Sequence, residues 1–374
     1  MFKFSNINER SMNIVFVITD LTTLGGVERT TLLLANELIE KGYKIQIVSL
    51  FKRNDFVKFP LGQISDIQYV INRGYLLKED SSNRFFSIIS LFAVLLRFKK
   101  TFKKIDPSSI YVAQCFLPAA FLWLFGKSKQ TIVCEHFKYE LYNKVICMFR
   151  DRIYSKLLQV ITLTQEDCKK YLKVLSNVRV IPNMSPYSVS KVSDMTNQRI
   201  VSVGRLTFQK GYDFLIKAIS ECKNEIKGWS IHVFGEGELY DDLISMAENN
   251  QVNDILHFEG YSSNIENELL NSSIFVLSSR FEGLPMVLLE AMSKGLAIIS
   301  FDCPEGPRAL LHDGAGLLVE KENPSELAAA IVKLTKSCAL RTDYSEKAQL
   351  AINKFSAENV ILLWSNLFKD LNLE

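Results

Sequence analysis

Short apolar, β-branched runs alternate along the chain with longer amphipathic stretches. NIVFVIT (13–19) predicts a strand, ERTTLLLANELIEKG (28–42) a helix and KIQIVSL (44–50) the next strand. SIYVAQ, TIVCE and QVITLT follow, each ahead of a helical pattern. This order is the signature of βα units on a parallel sheet. It breaks at IPNMSPYSVSKVSDMTNQR (181–199), which is rich in Ser, Pro and Asn, lacks periodicity and predicts an interdomain linker. A second series then begins. RIVSVG (199–204), WSIHVFG (229–235), ILHFEG (255–260), SIFVLS (273–278), LAIISF (296–301) and AGLLVE (315–320) predict strands with helices between them. FSAENVILLWSNLFKDL (355–371) closes the chain as an amphipathic helix. The expected fold class is α/β, with two Rossmann-like doubly wound domains, 12–185 and 198–355, facing a cleft. Ligands of such sheets bind outside the carboxyl ends of the strands.

Composition changes this picture little. The chain has 374 residues, enough for two domains, and is 48% hydrophobic and 23% charged, ordinary for a globular protein. Its seven cysteines are odd in number and form no CxxC pair, which predicts reduced thiols and a cytoplasmic protein. The four histidines show no metal-ligand spacing. The run at 14–18 is too short for a signal peptide, and SIISLFAVLLRF, interrupted at Arg97, is too short for a membrane span. Residues 1–11 carry no pattern, and Met12 is an alternative start.

Charge is more informative. Residues 1–185 hold 27 Lys+Arg against 15 Asp+Glu, and the remainder holds 17 against 26, so halves of +12 and −9 lie behind a net +3. A basic first half implies an anionic partner, a nucleic acid or a membrane.

Four motifs sit just after predicted strands. DLTTLGGVER (20–29) places Gly25 and Gly26 at a βα turn, where a backbone comes close to a ligand or simply turns tightly. In VGRLTFQKGYDFL (203–215), Arg205 and Lys210 stand five apart between Gly204 and Gly211, a spacing that lets a planar fork and a point charge grip a diphosphate. FGEGELYDDL (234–243) has a GxGxL form around Gly235. It lacks the third glycine of a dinucleotide fingerprint, so it shapes a helix start instead. RFEGLPMVLLEAMSKG (280–295) puts Glu282 in a loop, Gly283, Leu284 and Pro285 at a helix start, and Glu290 inside an apolar helix. At 1.5 Å per residue Glu290 is expected about two turns on, roughly 8–12 Å from Glu282. The N–H groups near Gly283 and Leu284 would face a phosphate or a sugar oxygen, and the carboxylates would accept bonds from vicinal hydroxyls. A buried Glu290 needs partners.

Taken together, the double glycine, VGRLTFQKG, FGEGEL, FEGLPMVLLEAMSKGLAII and GAGLLV resemble the retaining glycosyltransferases of family 4, which have the GT-B fold. The resemblance covers essentially the whole chain and is strongest in the second half. It implies an acceptor-binding first domain completed by a crossover helix (356–374), and a second domain that binds a nucleotide-sugar. It implies that Glu282 contacts the transferred sugar, Glu290 the ribose, and Arg205 and Lys210 the diphosphate. Gly26, Gly204, Gly235, Phe258, Gly283, Leu284 and Pro285 would line the donor. His136, after TIVCE, would reach the donor sugar; read alone, it is equally a buried structural histidine. SFDCPEGPRALL (300–311) is similar to a bacterial subset that builds O-antigen and capsule on lipid carriers. Ala309 stands where a glutamate is usual, and HDGAGLLV lacks an asparagine often found there.

No Asp-x-Asp metal motif is evident, since Asp241 and Asp242 lie in a helical pattern. The expectation is a metal-independent enzyme without cofactor that moves a hexosyl or N-acetylhexosaminyl unit from a UDP-linked sugar to a glycan or polyprenyl-diphosphate-linked acceptor. Arg205, Lys210 and helix N–H groups would meet the developing charge. Alternatives are a GT-B nucleotide-sugar epimerase and a catalytically silent nucleotide-sugar-binding subunit. The basic centre at 83–104, apolar first and then Arg97, Lys99, Lys100, Lys103 and Lys104, predicts docking on the anionic inner face of the cytoplasmic membrane. Nucleic acid is disfavoured, because the aromatics beside these cations lie in an apolar helical run.

Overall fold

A computed structural model describes residues 12–72, 96–303 and 306–373. The chain forms two compact units, residues 1–182 with 360–374, and residues 183–359.

The first unit runs β1 (Asn13–Asp20), α1 (Gly26–Glu40), β2 (Lys44–Lys52), β3 (Ile67–Asn72), α2 (helical over 96–102) and β4 (Ile110–Gln114). It continues with α3 (Phe116–Leu124), β5 (Thr131–Glu135), α4 (Lys144–Tyr154), β6 (Gln159–Thr162), α5 (Gln165–Tyr171) and β7 (Val178–Val180). The strands make one parallel sheet in the order β3-β2-β1-β4-β5-β6-β7. The order reverses between β1 and β4, so the switch point lies at the carboxyl ends of those strands. Strands covered by helices on both faces read as continuous apolar runs; accordingly all five residues of β4 and of β5 are buried. Periodicity missed β3 and β7, two short strands near the sheet edges.

The basic helix departs from its expected role. Residues 83–95 lie outside the described residues. Over 96–105, Phe98, Phe102 and Ile105 are buried in the first unit's core. Phe98 stacks on Phe102 with ring centres 4.0 Å apart and meets Phe121 and Phe125 of the α3 region at 5.3 and 5.1 Å. These apolar residues are therefore spent on the core and are not available to a bilayer, while the cations beside them are exposed. No described helix is long and apolar enough to cross a membrane.

The second unit runs β8 (Arg199–Val203), α6 (Tyr212–Cys222), β9 (Ser230–Phe234), α7 (Tyr240–Asn249), β10 (Leu256–Gly260), α8 (Ile265–Leu270) and β11 (Ile274–Leu277). Then come α9 (Met286–Ser293), β12 (Ala297–Phe301), α10 (Gly306–Leu311), β13 (Leu317–Val319), α11 (Pro324–Thr335) and α12 (Cys338–Ile352). Its parallel sheet has the order β10-β9-β8-β11-β12-β13, with the reversal between β8 and β11. The last helix, α13 (Ala357–Asp370), belongs to the first unit from Val360 onward. There Phe368 meets Tyr43 edge to face, at 5.5 Å. The pattern predicts the two Rossmann-like parallel sheets, and the terminal helix groups with the first unit, as the resemblance implies.

The predicted linker is no free tether. Ser193 donates to the Ser272 carbonyl at 2.5 Å, and the Met195 carbonyl accepts from Arg341 Nη2 at 2.8 Å, so residues 183–198 pack on the second unit. Lys294, just past α9, is fully buried and fixes the same segment, its Nζ bonding the Ser188 carbonyl at 3.0 Å and Glu266 at 2.5 Å. All seven cysteines are free thiols.

Removing a charged hydrogen-bond donor from such a position costs about 1.5–3 kcal/mol. Lys294→Ala should therefore lower stability by about that amount, read as a lower urea midpoint. An unchanged midpoint would mean that Lys294 holds nothing.

Candidate functional site

In the second unit the site grows from the two loops at the β8/β11 switch point. β8 ends at Val203, and Gly204 and Arg205 follow at its carboxyl end. Lys210 closes a short 3-10 turn, and Gly211 ends it with φ +63°, in the left-handed region. A Cβ at Gly211 would also lie 2.2 Å from the Ser278 carbonyl oxygen. Only glycine lets the β8 loop approach the β11 loop this closely. Ser278 Oγ donates to the Lys210 carbonyl at 3.0 Å, the Arg280 N–H to the Gln209 carbonyl at 2.8 Å, and Gln209 to the Phe281 carbonyl at 3.0 Å.

This stitching delivers the charges. Lys210 Nζ sits 2.6 Å from Glu282 Oε1, and Ser279 Oγ donates to the same oxygen at 2.7 Å. Glu282 is buried and Lys210 nearly so. Arg205 is exposed and its side chain makes no hydrogen bond or ion pair among the described residues, so its guanidinium is open to an anion. Sequence reasoning brought Arg205, Lys210 and Glu282 to one sheet end, but it did not foresee that Lys210 and Glu282 pair with each other.

Arg280 and Asp213 were also missed. The Arg280 guanidinium holds both Asp213 oxygens, at 2.9 and 2.7 Å, and lies over the rings of Phe208 and Phe214 at 4.0 and 4.4 Å. It braces the two loops from the side. The signal was the Arg that opens RFEGLPM, two residues before Glu282.

Gly235 shows what GxGxL is for. It has φ +145°, and a Cβ there would stand 2.0 Å from the Gly204 oxygen. The β8 and β9 loops meet backbone to backbone instead, with Gly204 N–H to the Phe234 carbonyl and Leu206 N–H to the Glu236 carbonyl, both at 2.9 Å. Tyr212 adds a bond to the Gly204 carbonyl at 3.3 Å, and Phe258 on β10 meets the Tyr212 ring edge to face. Phe258 thus packs against the support of the β8 loop.

α9 begins later than the spacing predicted. Pro285 is its N-cap, with φ −70° and ψ 112°, rather than a residue of its first turn. Glu290 is therefore one turn into the helix, not two, and the chain from Glu282 to Pro285 is loop. Glu290 is buried among Leu288, Leu289, Ala291 and Met292. Gly283 and Pro285 lie against Gly306, where a Cβ would press on the Gly283 oxygen. The N–H groups of Gly283 and Leu284 make no hydrogen bond among the described residues. Cys303 Sγ–H donates to the Ser279 carbonyl at 2.8 Å, and burial, with the nearby Glu282 charge, pushes that thiol up to about 12.

The first unit carries its own cluster at the carboxyl ends of β4 and β5. Gln114 ends β4, and His136 follows β5. His136 Nε2 lies 2.6 Å from Gln114 Oε1, an acceptor, so Nε2 carries the proton and Nδ1 keeps a lone pair. Burial lowers the imidazole to about 4, so the ring is neutral at pH 7. The Gln114 amide nitrogen is buried and has no partner among the described residues, an unused donor beside the histidine. The next residue, Cys115, has φ +72°, a conformation costly for a residue with a side chain.

Glu135 anchors this loop. Its Oε2 accepts from Tyr154 at 2.7 Å, and burial raises the carboxyl despite that bond and the nearby Arg150. Arg150 is fully buried, donates to the Tyr139 carbonyl at 2.8 Å, and lies over the Tyr139 and Tyr171 rings at 4.5 and 4.7 Å. At the double glycine, by contrast, Gly25 caps α1 where a Cβ would lie 2.4 Å from the Glu28 carboxylate, and Gly26 is the exposed first residue of the helix. That turn makes room for an acidic side chain, which itself accepts from Thr23 at 2.7 Å.

Comparison with known proteins agrees with this layout. Residues 186–351 match the family described as glycosyl transferases group 1. An uncharacterised glycosyltransferase of Haemophilus influenzae is 25% identical over 94% of this chain and 98% of its own. The amylovoran biosynthesis glycosyltransferase AmsD of Erwinia amylovora is 25% identical over 95% and 99%. Among solved structures, Anabaena HepE in complex with UDP superimposes with a TM-score of 0.76 at 15% identity, over 96% of this chain and 100% of its own. That likeness shows the GT-B fold.

His136 sets an acid limit. Its folded pKa of about 4 lies below the ordinary 6.5, so its share of stability is complete above pH 6.5 and is lost as pH falls to about 4. At 1.36 kcal/mol per unit this is about 3 kcal/mol. His136→Gln should remove that slope, and denaturant unfolding between pH 4 and 7 measures it. Equal slopes in wild type and variant would mean the imidazole is not held neutral.

Proposed function

The chain being a glycosyltransferase with a group 1 domain at residues 186–351, we propose that it is a retaining enzyme of bacterial surface-polysaccharide synthesis. It transfers a hexosyl or N-acetylhexosaminyl unit from a UDP-linked donor to a glycan on a lipid carrier. The observation that carries this reading is the convergence of Lys210, Glu282, Ser279 and an unengaged Arg205 at the β8/β11 switch point. Two cations and one carboxylate at a strand end suit a diphosphate joined to a polyhydroxylated ring. The relatives point the same way, AmsD by its role in amylovoran synthesis and HepE by its bound UDP.

In the proposed reaction the bond from the anomeric carbon to the β-phosphate oxygen breaks, and a bond to the acceptor oxygen forms on the same face. The departing phosphate oxygen takes the acceptor's proton. Negative charge grows on the diphosphate, where Arg205, Lys210 and the N–H groups of Gly283 and Leu284 stabilise it. Glu282 accepts from hydroxyls of the transferred sugar, and Glu290 from the ribose. Within the first unit, neutral His136 offers Nδ1 as an acceptor, and the spare Gln114 amide a donor, to a sugar hydroxyl. With organic cations at the diphosphate, the reaction is assigned no metal and no cofactor.

Incubation with labelled UDP-sugars and lipid-extracted acceptors tests the reading. Labelled glycolipid is the expected outcome. A new epimer would identify an isomerase, and donor binding without turnover a silent subunit. Activity should persist in EDTA; loss restored by Mg²⁺ or Mn²⁺ would overturn the metal-free assignment. Glu290→Ala should raise donor KM and weaken UDP binding by about 1.5–3 kcal/mol, the scale of a hydrogen bond to a charged group. Calorimetry that finds UDP affinity unchanged in the folded variant would remove Glu290 from the ribose.

A further inference from the structure

Two side chains of the first unit meet across the ends of neighbouring strands. β4 and β5 run parallel, with Gln114 opposite Cys134. One residue on, the Cys115 N–H donates to the Cys134 carbonyl at 2.9 Å, and the His136 N–H donates to the Cys115 sulfur. Both backbones are fixed by these bonds where Gln114 Oε1 meets His136 Nε2 at 2.6 Å. Gln114 is buried, whereas His136 keeps part of its surface. The imidazole is thus held by a buried partner and is still open to a ligand.

Glutamine suits that partner for a chemical reason. An amide oxygen accepts a hydrogen bond but carries no charge. It draws the single ring proton to Nε2 without favouring a second one on Nδ1. A carboxylate in its place would stabilise the doubly protonated ring, and an apolar side chain would leave the two tautomers free to exchange. The other charged and titratable groups around this turn have partners of their own. Glu135 of β5 accepts from Tyr154 at 2.7 Å and from the Phe137 N–H at 3.4 Å. Arg150 of α4 holds Asp151 at 2.9 Å, and Glu28 of α1 accepts from Thr23 at 2.7 Å. Burial pushes the Tyr142 hydroxyl up to about 12 and the Cys115 thiol well up, so both stay neutral. Burial is also what lowers the imidazole.

We propose that Gln114 is a specificity-determining residue that acts through His136: by fixing the Nε2–H tautomer it makes Nδ1 an obligate acceptor, so that this end of the first unit's sheet takes a sugar hydroxyl that donates. A group on the ligand that can only accept finds no donor at the imidazole. That the hydroxyl belongs to a sugar rests on the transferase reading. The tautomer itself does not, because it follows from the contact between two side chains of the free protein.

Two measurements test this. The first is ring-nitrogen NMR of the full chain carrying isotope-labelled histidine. The chain has four histidines, and the signal missing from His136→Gln identifies the one in question. In wild type at pH 7 that ring should carry one proton, on Nε2. Gln114→Glu should bring the imidazole back up towards its ordinary 6.5 or above, so that the ring is charged in mild acid. The second measurement is sugar transfer from UDP-glucose or UDP-N-acetylglucosamine across pH. Wild-type kcat/KM should stay level from about pH 6 to 8, since the lone pair on Nδ1 is present throughout. In Gln114→Glu it should fall roughly tenfold per unit below the raised value and recover above it. A wild-type ring protonated on Nδ1, or on both nitrogens, would overturn the proposal without any variant. So would a Gln114→Glu protein whose profile follows wild type, or one that loses activity equally at every pH, since Gln114 would then be merely structural. Wild type that carries its proton on Nε2 yet transfers from neither donor would refute the transferase reading, and the sugar with it, while the tautomer would stand.

Discussion

The ion pair between Lys210 and Glu282 is the constraint on which the second unit's candidate site depends. A buried pair is stable only when its geometry is good and its remaining acceptor positions are filled. Ser279 fills one, donating to the same Glu282 oxygen that Lys210 holds. The pair can form only if the β8 and β11 loops lie against each other, and Gly211 alone permits that approach. Arg280 then clamps the loops through Asp213 and two phenylalanine rings. Gly235 extends the same logic to the β9 loop. The glycines and the charges are one device, in which backbone contact sets the position of a lysine and a carboxylate.

That device explains how a diphosphate would act on the site. In the proposed reaction a bound diphosphate would compete with Glu282 for the lysine, and the carboxylate released from Lys210 would be more open to sugar hydroxyls. Arg205, whose side chain has no partner among the described residues, would supply the first attraction. In the first unit the logic differs. Gln114 and His136 form a neutral pair beside the strained Cys115, held by the buried Glu135, Tyr154 and Arg150. Neutral donors and acceptors suit a sugar, as charges suit a phosphate.

Much of this was legible in the sequence because the two sheets are buried on both faces. Their strands are short apolar runs, and their helices have clear stripes, so the order of elements could be read directly. Arg205, Lys210, Glu282 and Glu290 were legible because they follow strands within glycine frames. What the sequence hid depends on partners distant along the chain. Nothing local says that Phe98 and Phe102 turn inward, so the basic helix read as one that docks on a membrane surface. Pro285 shifted the start of α9 and so the depth of Glu290. The partner of Arg280, Asp213, lies 67 residues away in the chain.

A double-mutant cycle on Lys210 and Glu282, with UDP affinity measured by calorimetry, tests the central claim most directly. If Lys210 exchanges its carboxylate for the diphosphate, Lys210→Gln should weaken UDP by roughly tenfold or more, on the scale of a lost buried charge contact. Glu282→Gln should leave UDP affinity unchanged or tighter, because the lysine no longer has to be released. Equal losses in both single variants, or no loss in Lys210→Gln, would contradict the account.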